Sequence, residues 1–107
     1  MIDPEKIYEK FNISPLGAPP SSGVYSVVIF DISPKKETIL YIGSSKNIQK
    51  RVSSKTHPYK RIFDSLYGGD LLCCVKYYEC DEYLEIEKEL IRKFNPTFNR
   101  QWARVLK

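Results

Sequence analysis

Gly23-Val24-Tyr25-Ser26-Val27-Val28-Ile29-Phe30 and Thr38-Ile39-Leu40-Tyr41-Ile42-Gly43 are two runs of β-branched and aromatic residues, parted by the polar segment Asp31 to Glu37 with its proline and two lysines. Runs of this composition, bounded by glycine and polar residues, read as strands. The short polar connection makes an antiparallel hairpin the simplest arrangement. Upstream, Ser14 to Gly23 holds three prolines and two glycines and reads as an extended lead-in. Before it, Asp3-Pro4-Glu5 opens a short helix, because Asp caps, Pro suits the first helical position and Glu favours the dipole. Ile7, Tyr8 and Phe11 give that helix one apolar face.

Downstream of Gly43, Ser44 or Ser45 can cap a helix that turns Ile48 and Val52 inward, with Arg51 beside that stripe. Pro58 starts a further helix through Tyr67, with Tyr59, Ile62, Phe63 and Leu66 at helical spacing, and Gly68-Gly69-Asp70 stops it. Leu71 to Tyr78 is a third strand, apolar enough at its start to be central. Its adjacent Cys73 and Cys74 point to opposite faces, cannot chelate one ion, and read as structural. Asp81 is expected to cap the last long helix, Glu82 to Phe94, which Asn95-Pro96 ends.

On that last helix, at about 100° per residue, Tyr83, Leu84, Ile86, Leu90, Ile91 and Phe94 form one apolar arc. Glu85, Lys88, Glu89 and Arg92 fall on the opposite side. Glu87 falls within the apolar arc. A carboxylate aimed inward is costly unless paired, protonated or bound to a metal. Arg51 is the obvious candidate for a pairing, so a salt bridge and a functional carboxylate both stand at this point.

The 107 residues make one domain's worth of chain, with 42% hydrophobic and 28% charged residues, as in ordinary globular proteins. The longest apolar run, Val27 to Phe30, is far short of a membrane span, and the acidic N-terminus is not a secretory signal. Cys73, Cys74 and Cys80 fit neither a disulfide framework nor a zinc site, so a reducing intracellular compartment, cytoplasmic or nuclear, is expected. The net charge of +4 is unevenly spread: residues 44 to 63 hold six basic groups and no acid, residues 64 to 91 two basic and eight acidic, and residues 92 to 107 five basic and no acid. Two basic blocks around an acidic one suit a polyanion-binding surface built about a carboxylate site, although solvated faces give similar runs.

Gly23-Val24-Tyr25, then Tyr41-Ile42-Gly43 after fifteen intervening residues, Arg51 eight residues on, Glu87 in a late helix and Asn99 twelve residues after it together resemble the GIY-YIG nuclease family. The resemblance runs from about Gly23 to Asn99, nearly three quarters of the chain. Each piece is weak alone; their order makes the joint match specific. It implies an α+β fold, a small three-stranded antiparallel sheet flanked by helices, over residues 23–107, with residues 1–22 as an N-terminal helix and lead-in. It further implies a divalent-metal-dependent endonuclease that hydrolyses phosphodiester bonds of nucleic acid, DNA ahead of RNA. A binding module that keeps the fold without the chemistry is the alternative.

By the same resemblance, Glu87 is the metal ligand for Mg²⁺ or Mn²⁺, a cation that needs few protein oxygens and keeps its waters. Tyr25 is the general base and Tyr41 assists it by hydrogen bonding. A tyrosine with a pKa of about 10 needs positive charge nearby to act as a base. Arg51 holds the scissile phosphate through its planar fork. Gly23 and Gly43 are the motif glycines, Gly43 permitting close approach. Asn99 supports the site and is a candidate nucleic-acid contact, as are Lys46 and Lys55 in the basic stretch. His57, the only histidine, lies between the arginine helix and the third strand, where some members carry a catalytic histidine, lysine or tyrosine, and a surface turn is its other reading. The spacing between the tyrosines implies a long hairpin whose tip, Pro34-Lys35-Lys36, could touch nucleic acid. Without room in these residues for a further reading module, specificity is expected from substrate shape, a partner protein or a homodimer.

Overall fold

The computed structural model describes residues 3–13, 19–31, 36–52 and 71–99. The expected helix from Pro58 to Tyr67, the hairpin tip at Pro34 and Lys35, and the residues His57 and Lys55 lie outside the described residues. In chain order the elements are α1 (Pro4–Glu9), β1 (Asn12–Ile13), β2 (Gly23–Asp31), β3 (Lys36–Ser45), α2 (Ile48–Val52), β4 (Leu71–Glu79) and α3 (Tyr83–Phe94). The strands form one antiparallel sheet in the order β1-β4-β2-β3.

The expected α+β architecture and hairpin are present, and the sheet has a fourth strand where three are expected. The addition is β1, which pairs Asn12 with Tyr77 and Ile13 with Lys76. Two residues are too few to show a period, so no sequence pattern announces it. β2 is the fully flanked strand, paired along its length with both β3 and β4. That explains why it is apolar on both faces: every residue from Val24 to Ile29 is buried. β4 is covered on its outer side by β1 for two residues only.

Alternation along β2 divides the core. Tyr25, Val27 and Ile29 join Leu40, Tyr41, Ile48 and Val75 on one face, and Val24 packs with Ile42, Ile86, Leu90, Tyr8 and Phe11 on the other. On β3 the register shifts, because Val27 faces Tyr41 while Val28 faces Ile39, leaving Leu40 as an extra residue. The bulge separates Ile39 and Tyr41, which strict alternation would put on one face, and leaves Tyr41 with Tyr25. Ser26 is the buried polar residue of β2, and its hydroxyl lies 3.3 Å from the Tyr8 hydroxyl.

α1 is capped as expected, Asp3 Oδ1 accepting from the Glu5 and Lys6 amides at 3.2 and 3.4 Å. Two other caps differ from expectation. Asn47 caps α2, accepting from the Lys50 amide at 3.0 Å, while Ser45 braces Asn47 and Ser44 turns elsewhere. Glu82, and not Asp81, stands at the N-cap of α3 and makes no side-chain cap hydrogen bond, while Asp81 Oδ1 lies 3.5 Å from the Ser22 hydroxyl. α3 buries Ile86 and Leu90 on the sheet, whereas Leu84, at the margin of the apolar arc, is 63% exposed. Asn95 ends α3 in the left-handed conformation at φ 45°, which turns the chain toward β3.

Candidate active site

Tyr25 and Tyr41 stand on neighbouring strands with ring centroids 6.2 Å apart at 45°. Gly43 is the cross-strand partner of Tyr25, and the Tyr25 ring lies directly against its backbone. A Cβ at position 43 would overlap Tyr25 Oη and Cζ, so glycine here is a steric condition for the tyrosine's placement. Gly23 has a similar constraint of different purpose: a Cβ there would overlap the Tyr78 carbonyl oxygen and stand 2.9 Å from Ile48 Cδ1. It lets β4 and α2 close on the start of β2.

α2 brings Arg51 to this face. Ile48, wholly buried, and Val52 anchor the helix on the cluster around Tyr25. Its first amides are received by the lead-in, Ile48 N by the Ser21 carbonyl at 2.9 Å and Gln49 N by the Pro19 carbonyl at 3.0 Å. Arg51 is exposed, and its positive charge acts on the hydroxyls of both Tyr25 and Tyr41. Beside it an open cleft of about 420 Å³ is lined by Ser45, Lys46, Asn47, Lys50 and Arg51. Lys46 thus stands next to Arg51 on the rim of the site.

Glu87 projects from α3 to the same place. It is half-buried, and Oε2 accepts a hydrogen bond from the Ser44 hydroxyl. Among the described residues the ion pairs are Lys76 with Glu37, Arg92 with Glu89 and Lys93 with Glu5, so the salt bridge between Glu87 and Arg51 that the sequence allows is not formed. Burial holds the Glu87 carboxyl above the usual carboxylate range, opposed by the Ser44 hydrogen bond and by Arg51. Burial also pushes the Tyr25 hydroxyl well above its ordinary value, reinforced by Tyr41 and Glu87 and opposed by Arg51. Tyr41 is raised as well, first by burial and then by the charge of Glu87.

Asn99 closes the edge of the sheet. β3 is an edge strand, and the outward backbone of Ile42 is met by Asn99, whose Oδ1 accepts from Ile42 N and whose Nδ2 donates to Ile42 O, both at 2.8 Å. The side chain completes β3 as a neighbouring strand would, and both ends of its amide are committed to that task.

Tyr25, Tyr41, Arg51 and Glu87 are therefore brought together, with Gly43 beneath and Asn99 behind, while Lys46 joins the rim. Ser44, Asn47 and Lys50 belong to the site without having been singled out for it. For Ser44 the signal was available: alternation from Ile42 places it on the α3 side of β3. No group of three His, Cys, Asp or Glu side chains that could hold a metal occurs among the described residues. The donor set is one half-buried carboxylate lacking an ion-pair partner there, which fits a hydrated magnesium-like cation that takes one or two carboxylates and completes its shell with water and phosphate.

An antiparallel sheet flanked by helices thus gathers two tyrosines, a helical arginine and a helical glutamate beside a cleft lined by three basic residues. The chain belongs to the GIY-YIG family: the GIY-YIG catalytic domain matches residues 24–101. It is also similar to UvrABC system protein C of Fusobacterium nucleatum, 31% identical over 97 residues that cover 82% of this chain and 14% of that protein. The chain therefore spans about one seventh of the length of this relative. No solved structure matches it significantly.

Proposed function

We propose that the chain is an endonuclease domain that hydrolyses phosphodiester bonds of nucleic acid, DNA ahead of RNA, with a divalent cation on Glu87. The observation that carries this reading is the placement of Tyr25 beside Tyr41, with Glu87 tied by Ser44 to the strand of Tyr41 and Arg51 on the helix packed against Tyr25, next to the cleft lined by Lys46, Lys50 and Arg51. Arg51 holds the scissile phosphate, its planar fork suiting two phosphate oxygens. Lys46 contacts the strand beyond that phosphate. The Tyr25 hydroxyl, set beside Tyr41 by the close packing of its ring on Gly43, orients the attacking water. Tyr25 is neutral in the substrate-free site, so taking the water's proton requires that it first release its own. Arg51 favours that release and burial opposes it. Mg²⁺ or Mn²⁺ on Glu87 would supply polarisation of the phosphate and charge neutralisation at the leaving oxygen.

The test is incubation of the purified protein with supercoiled plasmid, with Mg²⁺ or with a chelator, beside Glu87→Gln. Cleavage that needs both the cation and Glu87 supports the proposal. Cleavage that persists undiminished in a folded Glu87→Gln protein removes the metal role from that residue. Binding of DNA without cleavage by the wild-type chain in either cation would favour a binding module on the same fold.

A further inference from the structure

Ser44 directly follows Gly43 and faces α3, half-buried, across the sheet edge from Glu87. It caps no helix, that task falling to Asn47, and its hydroxyl donates to Glu87 Oε2. Among the described residues no other group hydrogen-bonds the Glu87 carboxylate, so Oε1 is uncommitted. The terminal torsion of a glutamate is broad, and a carboxylate left to itself samples many orientations. Anchoring one oxygen removes that freedom.

We infer that Ser44 is a positioning residue for Glu87, holding Oε2 so that Oε1 is the oxygen offered to a divalent cation; the inference rests on the reading of Glu87 proposed above. Groups that hydrogen-bond a ligating side chain orient it, and their loss costs about 10- to 100-fold in metal affinity. Ser44 also couples two halves of the site, because it lies on the strand that carries Tyr41 and Gly43 while Glu87 comes from α3. The hydrogen bond thus ties the carboxylate to the strand against which the Tyr25 ring lies. The alternative for Ser44, a polar residue that merely satisfies itself at the rim of the core, predicts no effect on cation binding.

The experiment is a Mn²⁺ titration of the full chain without nucleic acid, following free Mn²⁺ by electron paramagnetic resonance, on the wild type, Ser44→Ala, Ser44→Thr and Glu87→Gln. Ser44→Ala is expected to weaken Mn²⁺ binding about 10-fold or more with an unchanged melting temperature, and Ser44→Thr, which retains the hydroxyl, to restore most of it. Should Ser44→Ala not fold, Ser44→Cys, of similar size with a weaker donor, takes its place and is expected to weaken binding in the same direction. Wild-type affinity in Ser44→Ala, or equal weakening by Ala and Thr, would overturn the inference. If the wild type binds Mn²⁺ no better than Glu87→Gln, the metal reading of Glu87 fails first and this inference falls with it.

Discussion

Tyr25 carries the sharpest chemical demand of the site. Burial holds its hydroxyl neutral, while the charge of Arg51 favours the ionised form. Tyr25→Phe keeps the ring against Gly43 and removes the oxygen alone, so cleavage is expected to slow by about 100-fold or more if that oxygen handles the proton. Single-turnover rates on a nicked-product assay measure this, and a loss under about threefold would move the role to Tyr41 or a cation-bound water. Glu87 offers a second, thermodynamic test. Its folded carboxyl is raised, chiefly by burial, so the folded state binds the proton more tightly than the unfolded chain. The contribution of this group to stability therefore falls as pH rises from the ordinary carboxylate value through the elevated folded one. Glu87→Gln is accordingly expected to melt at a higher temperature than the wild type at neutral pH, with the difference closing at acidic pH. A lower melting temperature for Glu87→Gln at neutral pH would restore the salt-bridge reading of this residue.

Strand β3 joins these residues and depends on side chains from outside the sheet. Asn99→Ala removes both bonds to Ile42 and reopens the edge, with an expected loss of about 1 to 3 kcal/mol. Denaturant titration reads it as a lower midpoint at unchanged slope. Gly43→Ala forces a methyl group into the Tyr25 ring, which must move. Cleavage should fall by about 100-fold while the chain remains folded, because small misplacements of reacting groups are costly. Normal activity in Gly43→Ala would mean that the Tyr25 position is not used in the reaction. α2 shows the converse dependence: only five residues long, it keeps its place because Ile48 is buried and because Pro19 and Ser21 accept its first amides. The lead-in thereby supports the helix that carries Arg51, as α1 and β1 support the opposite face through Tyr8, Phe11 and the pairing with β4.

Across the molecule the charge is segregated, with six basic groups and no acid in residues 44 to 63. Three of those six, Lys46, Lys50 and Arg51, line the cleft beside the site. Contacts of this kind reach phosphates and carry little sequence information. DNA binding is therefore expected to weaken steeply between low and moderate salt and to vary little among sequences, as a fluorescence-anisotropy titration on unrelated duplexes would establish. With one group of site residues per chain, supercoiled plasmid should give nicked circles before linear DNA. Discrete linear fragments at low enzyme would instead indicate a dimer with base readout.

The hairpin, the two tyrosines, the α2 stripe and the inward Glu87 were legible because each rests on a local period. Alternation along Val24 to Phe30 and the helical spacing from Tyr83 to Phe94 fix which side chains face the core wherever the element lies. The motif residues in their order also sufficed to place the chain in its family. Contacts between elements were not legible. Ser44 donating to Glu87 and Asn99 completing the edge at Ile42 depend on distances across 43 and 57 residues, respectively, that no local pattern encodes. The choice between a salt bridge and an unpaired carboxylate at Glu87 was of the same kind. It turned on how α2 and α3 are spaced across the sheet, because a charge pair forms only where packing of the surrounding core brings the two groups together.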